Sequence, residues 1–498
     1  MGKYLYGASV QGIQGFIFET NKLQEIVGAS DLIERFCSFG FMKKFAEKND
    51  FTIKEESVVR NAGGNIRIIF SDKLELEKMV KEFPKYIMQK AYGITLSQSV
   101  VEFNDGEYLD KKDELEFQLT KARNQATIPL DARFSLMKQT PRTGKPAYEL
   151  KNREYFDKGN WQKKDNREEA RVNILLGKLG LKDIFENFPL DMDKIANDNN
   201  KIAIIHADGN KMGLMLQKIS ENLKGKTDEK IQEIFKAFSN AITKSTNNSV
   251  KEAFEKVFQK NFDEEKDKFI KFRPIVIGGD DVTVICDANR ALSFTQTYLK
   301  AFEENTKKNF KEAKLTQYAE KLTACAGISF CNKKFPFHYA YNLAEHLCGY
   351  AKEASNREAS CLISHNIQSS YVEDYKTYIE EELTTKDGVT LLFAPYYINQ
   401  EPKIETLIEL HKLFSDSDIP LGKYREWLTE LHKSQEYAGL FLERVDVLMR
   451  AKVGGEKYEK LNTTLKLLNS ELQLNNLIVD NKTPMQDIMQ LKSVIGRK

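Results

Sequence analysis

Apolar runs of strand length alternate with amphipathic helical segments in the middle of the chain. The runs predict strands at about residues 202–207, 274–277, 282–286 and 322–330. Helical segments separate or follow them, and the last one carries an apolar stripe at helical spacing: Ala340, Leu343, Ala344, Leu347 and Ala351. The order βαββαβ, with a long helical insertion after the first strand, predicts the ferredoxin-like sheet of a palm domain.

The same order of elements recurs in a weaker form near the start of the chain. It predicts strands at 4–10 and 94–103, a hairpin at 58–70, and helices at about 13–47 and 73–90. Beyond about residue 370 the pattern is helical. We therefore expect an α+β fold in which two ferredoxin-like palm domains, the first degenerate, precede an all-helical C-terminal domain. The expected boundaries are 1–124 for the first palm, 125–200 for a connector, 201–368 for the second palm and 369–498 for the helical domain.

Composition narrows the class of protein without naming a ligand. The chain has 498 residues, of which 41% are hydrophobic and 30% charged, as is typical of globular domains. Its apolar runs are strand-sized and its first residues lack a secretory pattern, so we expect no membrane association and a cytoplasmic location. A net charge of +2 predicts no general attraction to nucleic acid. Six cysteines without a C-x-x-C pair argue against a zinc or disulfide framework.

The strongest chemical signal is an acidic turn between two apolar strands. Residues 278–281 read Gly-Gly-Asp-Asp at the tip of the predicted hairpin, and another apolar strand ends at Asp208. Adjacent carboxylates repel unless a cation lies between them, and their oxygens suit Mg²⁺ or Mn²⁺. We therefore expect Asp208, Asp280 and Asp281 to be metal ligands and catalytic residues of phosphoryl chemistry. The alternative is a solvated tip, because Asp and Gly are favoured turn residues.

Four neighbouring residues complete the expected nucleotide-binding site. Gly278 and Gly279 permit a tight hairpin, and glycine here and at Gly209 lets the backbone approach phosphates closely. Lys352, in the last palm helix, could reach substrate phosphates. The alternative is an exposed lysine favoured at a helix C-terminus by the helix dipole.

The upstream copy lacks the acids. Its Gly-Gly hairpin is expected to place Asn65 and Ile66 where Asp280 and Asp281 stand, with Gln11 near the position of Asp208. Amides do not neutralise magnesium as carboxylates do. The first palm is therefore expected to be catalytically silent.

Taken in order, these motifs resemble the polymerase-like large subunit of type III CRISPR effector complexes, in its Cmr branch. The resemblance rests on the acidic turn, the silent first palm and four stretches of sequence, which begin at Gln14 (Gln-Gly-Phe-Ile-Phe), Val27 (Val-Gly-Ala-Ser-Asp-Leu-Ile), Asp208 (Asp-Gly-Asn-Lys-Met-Gly) and Ala326 (Ala-Gly-Ile-Ser-Phe). It implies synthesis of an adenylate second messenger, a cyclic oligoadenylate, from ATP when target RNA is bound. It also implies the other subunits of the complex as partners, with crRNA and target RNA bound mainly through that complex.

Three departures limit what the resemblance carries over. No HD nuclease domain precedes the first palm, so DNase activity is not expected. The connector lacks the cysteine zinc motif often found in the family. Asn210 stands where many members carry a second aspartate, and so only Asp208, Asp280 and Asp281 are carried over as ligands.

Other functions fit the same residues. Adenylate joined to a different small-molecule acceptor would give an AMP conjugate, and no linear motif separates this reaction from oligomer synthesis. A diguanylate cyclase is a further alternative, which the tandem silent palm argues against. The non-enzymatic alternative is a scaffold subunit, although three positioned acids favour an enzyme.

Overall fold

Two separate sheets organise most of the chain. The structure, a computed structural model, describes residues 2–125, 136–169, 174–260, 262–263, 267–318, 322–368 and 374–495. One sheet has four strands and lies in the N-terminal region, and a six-stranded sheet follows in the middle of the chain. The predicted α+β class with two palm sheets is confirmed.

The first sheet has the strand order β2-β3-β1-β4 of a ferredoxin-like fold, with every neighbouring pair antiparallel. Tyr6, Ala8, Ile66 and Ile68 share one face of the sheet, because successive strand residues point to opposite faces, and they are buried in the larger core. Leu5 is buried on the other face. In chain order the elements are β1 (Lys3–Gln11), α1 (Ile13–Phe18), α2 (Leu23–Cys37), α3 (Phe39–Lys48), β2 (Val58–Ala62), β3 (Asn65–Phe70), α4 (Lys73–Lys90), β4 (Thr95–Phe103) and α5 (Tyr108–Arg123).

The connector is fastened to the first palm by buried charges. It contains β5 (Glu149–Lys151), β6 (Glu154–Phe156), α6 (Lys158–Glu169) and α7 (Ile174–Lys178). The guanidinium of Arg142 donates to both carboxylate oxygens of Glu25, at 2.7 and 3.1 Å, and Glu25 is only 3% exposed. The fully buried Lys163 pairs with Glu19 at 2.8 Å. These pairs stabilise the docking of the connector on the first palm.

The second sheet contains the same ferredoxin-like core, β10-β7-β9-β8, and adds a parallel strand, β11, beside β10. The predicted long helical insertion is confirmed as α8 and α9, which lie between the first strand and the hairpin. The elements are β7 (Lys201–Gly209), α8 (Met212–Asn222), α9 (Asp228–Phe254) with a π-helical turn at Glu255–Gln259, β8 (Phe272–Gly278), β9 (Asp281–Asp287), α10 (Ala291–Glu312), β10 (Ala324–Asn332), α11 (Phe337–Ala354) and β11 (Cys361–Asn366).

The C-terminal region is helical apart from one two-residue strand. Its elements are α12 (Tyr375–Glu382), β12 (Tyr396–Tyr397), α13 (Ile404–Phe414), α14 (Leu421–Leu431), α15 (Gln435–Val453), α16 (Gly455–Lys466) and α17 (Met485–Val494). Strand β12 pairs with β11, so this region extends the second sheet, which the helical pattern did not predict. No helix in the described ranges combines the length and the apolar content that a membrane crossing requires.

Candidate active site

The acidic turn joins β8 and β9 through a two-residue loop. Gly278 pairs with Asp281, which leaves Gly279 and Asp280 at the tip. Gly279 has a φ of 66°, a conformation that a side chain would strain. Both strands are anchored in the core, and the hairpin therefore presents its two carboxylates at a fixed edge of the sheet.

Asp208 lies at the end of β7, beside this hairpin. Ala207 pairs with Val282 of β9, so Asp208 follows the last paired residue of that ladder. A Cβ at Gly209 would lie 2.8 Å from Oδ2 of Asp280, which shows that Asp280 occupies the space a side chain would fill. Glycine at this position brings the acids of two separate strands together.

Burial and the charge of Asp208 perturb Asp280 and Asp281 electrostatically. Burial, followed by repulsion from Asp208, raises the pKa of Asp280 to about 7. Asp281 is exposed toward the adjoining cavity and enclosed by protein elsewhere. The loss of water around its carboxylate, and then repulsion from Asp208 and Asp280, raise its pKa well above the ordinary value. Lys352 opposes the rise at both positions. The raised pKa values show that negative charge on Asp280 and Asp281 is unfavourable when no cation is bound. A bound cation would favour the ionised carboxylates.

Lys352 contacts the acidic cluster directly. Its ammonium group forms an ion pair with Oδ2 of Asp208 and donates to the carbonyl oxygen of Gly209 at 2.9 Å. The residue is only 7% exposed, so the alternative of a solvent-exposed lysine is wrong. It lies in the last turn of α11, whose apolar stripe packs on the sheet and turns this position toward the site.

The donor set fits a divalent cation in its chemistry, because three carboxylates supply the hard oxygen ligands that Mg²⁺ and Mn²⁺ prefer. The three carboxylates do not surround a single point in this structure. In the part of the chain that the structure describes, no three acidic, histidine or cysteine side chains form a group that could hold an ion. Asp208 is instead engaged by Lys352. A metal ion that used Oδ2 of Asp208 would therefore have to displace the lysine.

A cavity of about 640 Å³ adjoins the acids and lies between the two palm sheets. This is within the range of small-molecule sites, which run from roughly 300 to 1,000 Å³. The second palm contributes Asp208, Asp281, Thr283 and Lys352 to its lining, and the first palm contributes Gly12, Gln14, Ser30, Glu34 and Gly63. The first palm thus forms one wall of the candidate site.

Two contacts hold that wall in place. A Cβ at Gly278 would lie 3.5 Å from Cα of Gly63, so the Gly-Gly hairpins of the two palms touch. The side-chain amide of Gln14 donates to the Tyr341 hydroxyl at 2.9 Å and to Glu345 at 3.0 Å, both on α11. In the sequence, Gln14 stands out only as the first residue of a stretch that carries the family resemblance. No local spacing could have revealed a contact between residues more than 300 positions apart.

The degenerate copy is offset from the predicted correspondence. Ala62 pairs with Asn65 around its hairpin tip, as Gly278 pairs with Asp281, so Asn65 matches Asp281 and Gly64 matches Asp280. The equivalent of Asp208 is Ser9 rather than Gln11, because Ser9 pairs with Asn65. The predicted places of Asn65 and Ile66 are therefore wrong by one residue, and Gln11, predicted near the place of Asp208, lies two residues beyond its equivalent. The Ser9 hydroxyl donates to Asn65 Oδ1 at 3.1 Å, and none of the equivalent positions carries a carboxylate.

Asn210 and His206 are part of the core beside the site. Asn210 is 1% exposed, and its amide donates to the Thr323 hydroxyl at 2.9 Å, so it lies outside the lining of the cavity. His206 is buried and contacts the Thr283 hydroxyl at 3.2 Å, and burial lowers its pKa. His206 also lines the cavity.

Comparison with known proteins identifies part of the chain. Residues 201–361 match the family model "Cas10/Cmr2, second palm domain". No curated protein sequence matches the chain. Among solved structures, the chain is similar to a Csm1–Csm4 cassette in complex with AMPPNP, with 11% identity, a TM-score of 0.53, and coverage of 99% of this chain and 70% of that one. A Csm1–Csm4 cassette in complex with cA3 gives the same identity and TM-score, with coverage of 99% and 69%. At this identity the likeness establishes a shared fold.

Proposed function

We propose that the chain is the large subunit of a type III CRISPR effector complex, of the Cmr branch, and that it acts as a metal-dependent nucleotidyltransferase. Its product would be an adenylate second messenger, a cyclic oligoadenylate made from ATP in antiviral defence. The observation that carries this proposal is that Asp208, at the end of β7, lies beside the acidic turn of β8 and β9, with Asp208 and Asp281 lining a nucleotide-sized cavity. The palm match over residues 201–361 supports it. So does the fold shared with cassettes solved in complex with AMPPNP and cA3.

The reaction joins a ribose hydroxyl oxygen of one nucleotide to the α-phosphorus of ATP and breaks the bond to pyrophosphate, which leaves. Asp208 and Asp281 would hold two Mg²⁺ or Mn²⁺ ions, with Asp280 completing one ligand shell. When bound, such ions lower the pKa of the attacking hydroxyl and offset charge on the leaving group.

The rest of the site binds and orients the substrates. Of the glycines proposed to approach phosphates, Gly279 faces open space, because an added Cβ there would meet no atom within 4 Å. Asp280 fills the space beside Gly209, and the backbone of Gly63 lies beside Gly278. Lys352 supplies an ammonium group to the triphosphate. The wall from the first palm, held by Gln14, borders the cavity and would help to position the nucleotides there.

The wider arrangement follows from the same proposal. We propose domain boundaries at about residues 124, 200 and 368, with the helical C-terminal region available to other subunits of the complex. Strand β12 belongs to the helical region but pairs with β11 of the second palm, so the helical region would be docked on the catalytic palm. Guide and target RNA would be bound mainly through the assembled complex.

The direct test is product formation from radiolabelled ATP and Mg²⁺ by the chain assembled with its partner subunits and target RNA. The double variant Asp280→Asn with Asp281→Asn should lose product formation. Asp287→Asn makes the same chemical change at the other end of β9 and should retain it. Full activity in the double variant would refute the assignment.

The same assay separates the alternatives. Mass spectrometry of the products distinguishes an oligoadenylate from an AMP conjugate with another acceptor, which would use the same acids. A scaffold role predicts that the double variant assembles and still protects cells against phage. An inactive but assembled double variant that no longer protects supports the enzyme.

A further inference from the structure

Lys352 forms an ion pair with Asp208, the carboxylate that the proposed metal ions would use as a ligand. The lysine ammonium contacts a carboxylate oxygen of Asp208 and, at 2.9 Å, the carbonyl oxygen of Gly209. Both acceptors are oxygens at the end of β7, as a divalent ion would require. The positive charge of Lys352 thus stands in for an ion among three carboxylates.

We propose that Lys352 is an exchangeable counter-ion. It neutralises Asp208 while the site is empty of nucleotide, and it transfers its ammonium group to triphosphate oxygens when metal and nucleotide enter together. The inference rests on the proposed function and deepens it, because it makes the binding of metal and of nucleotide depend on each other.

The geometry allows the side chain to move while its helix stays in place. Lys352 lines the cavity, so its amine borders the space that the nucleotide would fill. The backbone of α11 is fixed, since a Cβ at Gly327 of β10 would lie only 2.0 Å from the carbonyl oxygen of Ala344. A lysine has a flexible four-carbon stem and a compact charge with three donors, which suits a change of partner.

The energetics make the exchange conditional. An ion bound to Oδ2 of Asp208 would compete with the ammonium of Lys352 for that oxygen, and the lysine, which is only 7% exposed, would lose its ion pair with Asp208. A triphosphate supplies a counter-charge in place of Asp208. Metal alone should therefore bind weakly, and metal with nucleotide should bind well, as a reciprocal coupling requires.

Manganese binding in the absence of nucleotide tests the competition. Lys352→Gln removes the competing ammonium, so Mn²⁺ affinity, measured by electron paramagnetic resonance on the full chain, should rise roughly tenfold. Lys211→Gln is the matched control, because Lys211 lies near the site but pairs with Glu358 instead of Asp208. Its affinity should change less than about twofold. An unchanged affinity in Lys352→Gln, or an equal gain in Lys211→Gln, would overturn the proposal.

A second measurement uses the wild-type chain and needs no variant. An acyl phosphate of ATP transfers its acyl group to a lysine at the triphosphate: an amide bond forms at Nζ, the acyl–phosphate bond breaks, and ATP leaves. Mass spectrometry should find Lys352 acylated when Mg²⁺ is present, and excess AMPPNP should suppress the labelling. Unlabelled Lys352 in a preparation that makes product from ATP would overturn the exchange alone. Unlabelled Lys352 in a correctly assembled complex that makes no product would overturn the proposed function as well.

Discussion

Replacing Gly327 by alanine should separate the helix that carries Lys352 from the sheet that carries Asp208. A Cβ at this position of β10 would lie 2.0 Å from the carbonyl oxygen of Ala344, 2.6 Å from the amide nitrogen of Cys348 and 2.7 Å from Cβ of Leu347. An ordinary van der Waals contact begins at 3.4 Å, so α11 would have to retreat by about 1.4 Å at the closest of these atoms.

The cost follows from which atoms are hit. All three belong to the backbone or the Cβ of α11, and none can rotate away. Overpacking of a well-packed core costs about 1–3 kcal/mol, and we expect Gly327→Ala to lie near the upper end, at about 3 kcal/mol. Activity should fall too, because the retreat carries Lys352 away from Asp208.

The assay compares two glycine-to-alanine changes by urea unfolding and by hydrogen exchange in the peptides of α11. Gly349, on α11 itself, has no atom within 4 Å of an added Cβ. Gly349→Ala should leave stability unchanged or raise it by up to about 1 kcal/mol, since alanine favours a helix over glycine. If Gly327→Ala unfolds at the same urea concentration as wild type and exchanges no faster in α11, the inferred close packing is refuted.

Three other variants test the structure away from this contact. Burial raises the pKa of Asp487 to about 7, so the folded state keeps a proton that the unfolded chain releases near pH 4. The free energy of unfolding should therefore fall as the pH rises from about 4 to about 7, by up to about 4 kcal/mol, and Asp487→Asn should flatten this fall in urea titrations; an unchanged slope would contradict it. Arg142→Ala strands the buried carboxylate of Glu25 and should cost about 3 kcal/mol in the same titrations, whereas a loss below about 0.5 kcal/mol would refute the role of this pair. Asn210→Asp places a charge in the core and should destabilise the chain without tightening Mn²⁺ binding; tighter binding would show that this position faces the ions.

The sequence predicted the palm folds because both carry local signals. Apolar strands bounded by glycine turns and amphipathic helices of ordinary length are read from spacing alone, and helix α4 has the limits expected from its pattern, Lys73–Lys90. Strand β11 and its pairing with β12 were missed. These short strands are stabilised by pairing with β10 and with each other. No periodic pattern of apolar residues in the sequence predicts that pairing.

The candidate site was predictable as a set of acids but not as a cavity. Asp280 and Asp281 are adjacent in the sequence, and Asp208 follows a run of apolar residues that predicts a strand. The pairing of Lys352 with Asp208 joins residues 144 positions apart, and the wall from the first palm depends on how two sheets pack. The correspondence predicted for the degenerate hairpin is wrong because register is set by pairing across strands, which the linear sequence does not show.

The central claim is that Asp208, Asp280 and Asp281 together hold divalent ions for nucleotidyl transfer. Its most direct test is a crystal structure of the chain with Mn²⁺ and AMPPNP, in which anomalous scattering locates the ions. We predict manganese within about 2.2 Å of oxygens from all three carboxylates, with the Lys352 ammonium on the triphosphate. Nucleotide bound without manganese at these acids, and Lys352 still paired with Asp208, would contradict the account.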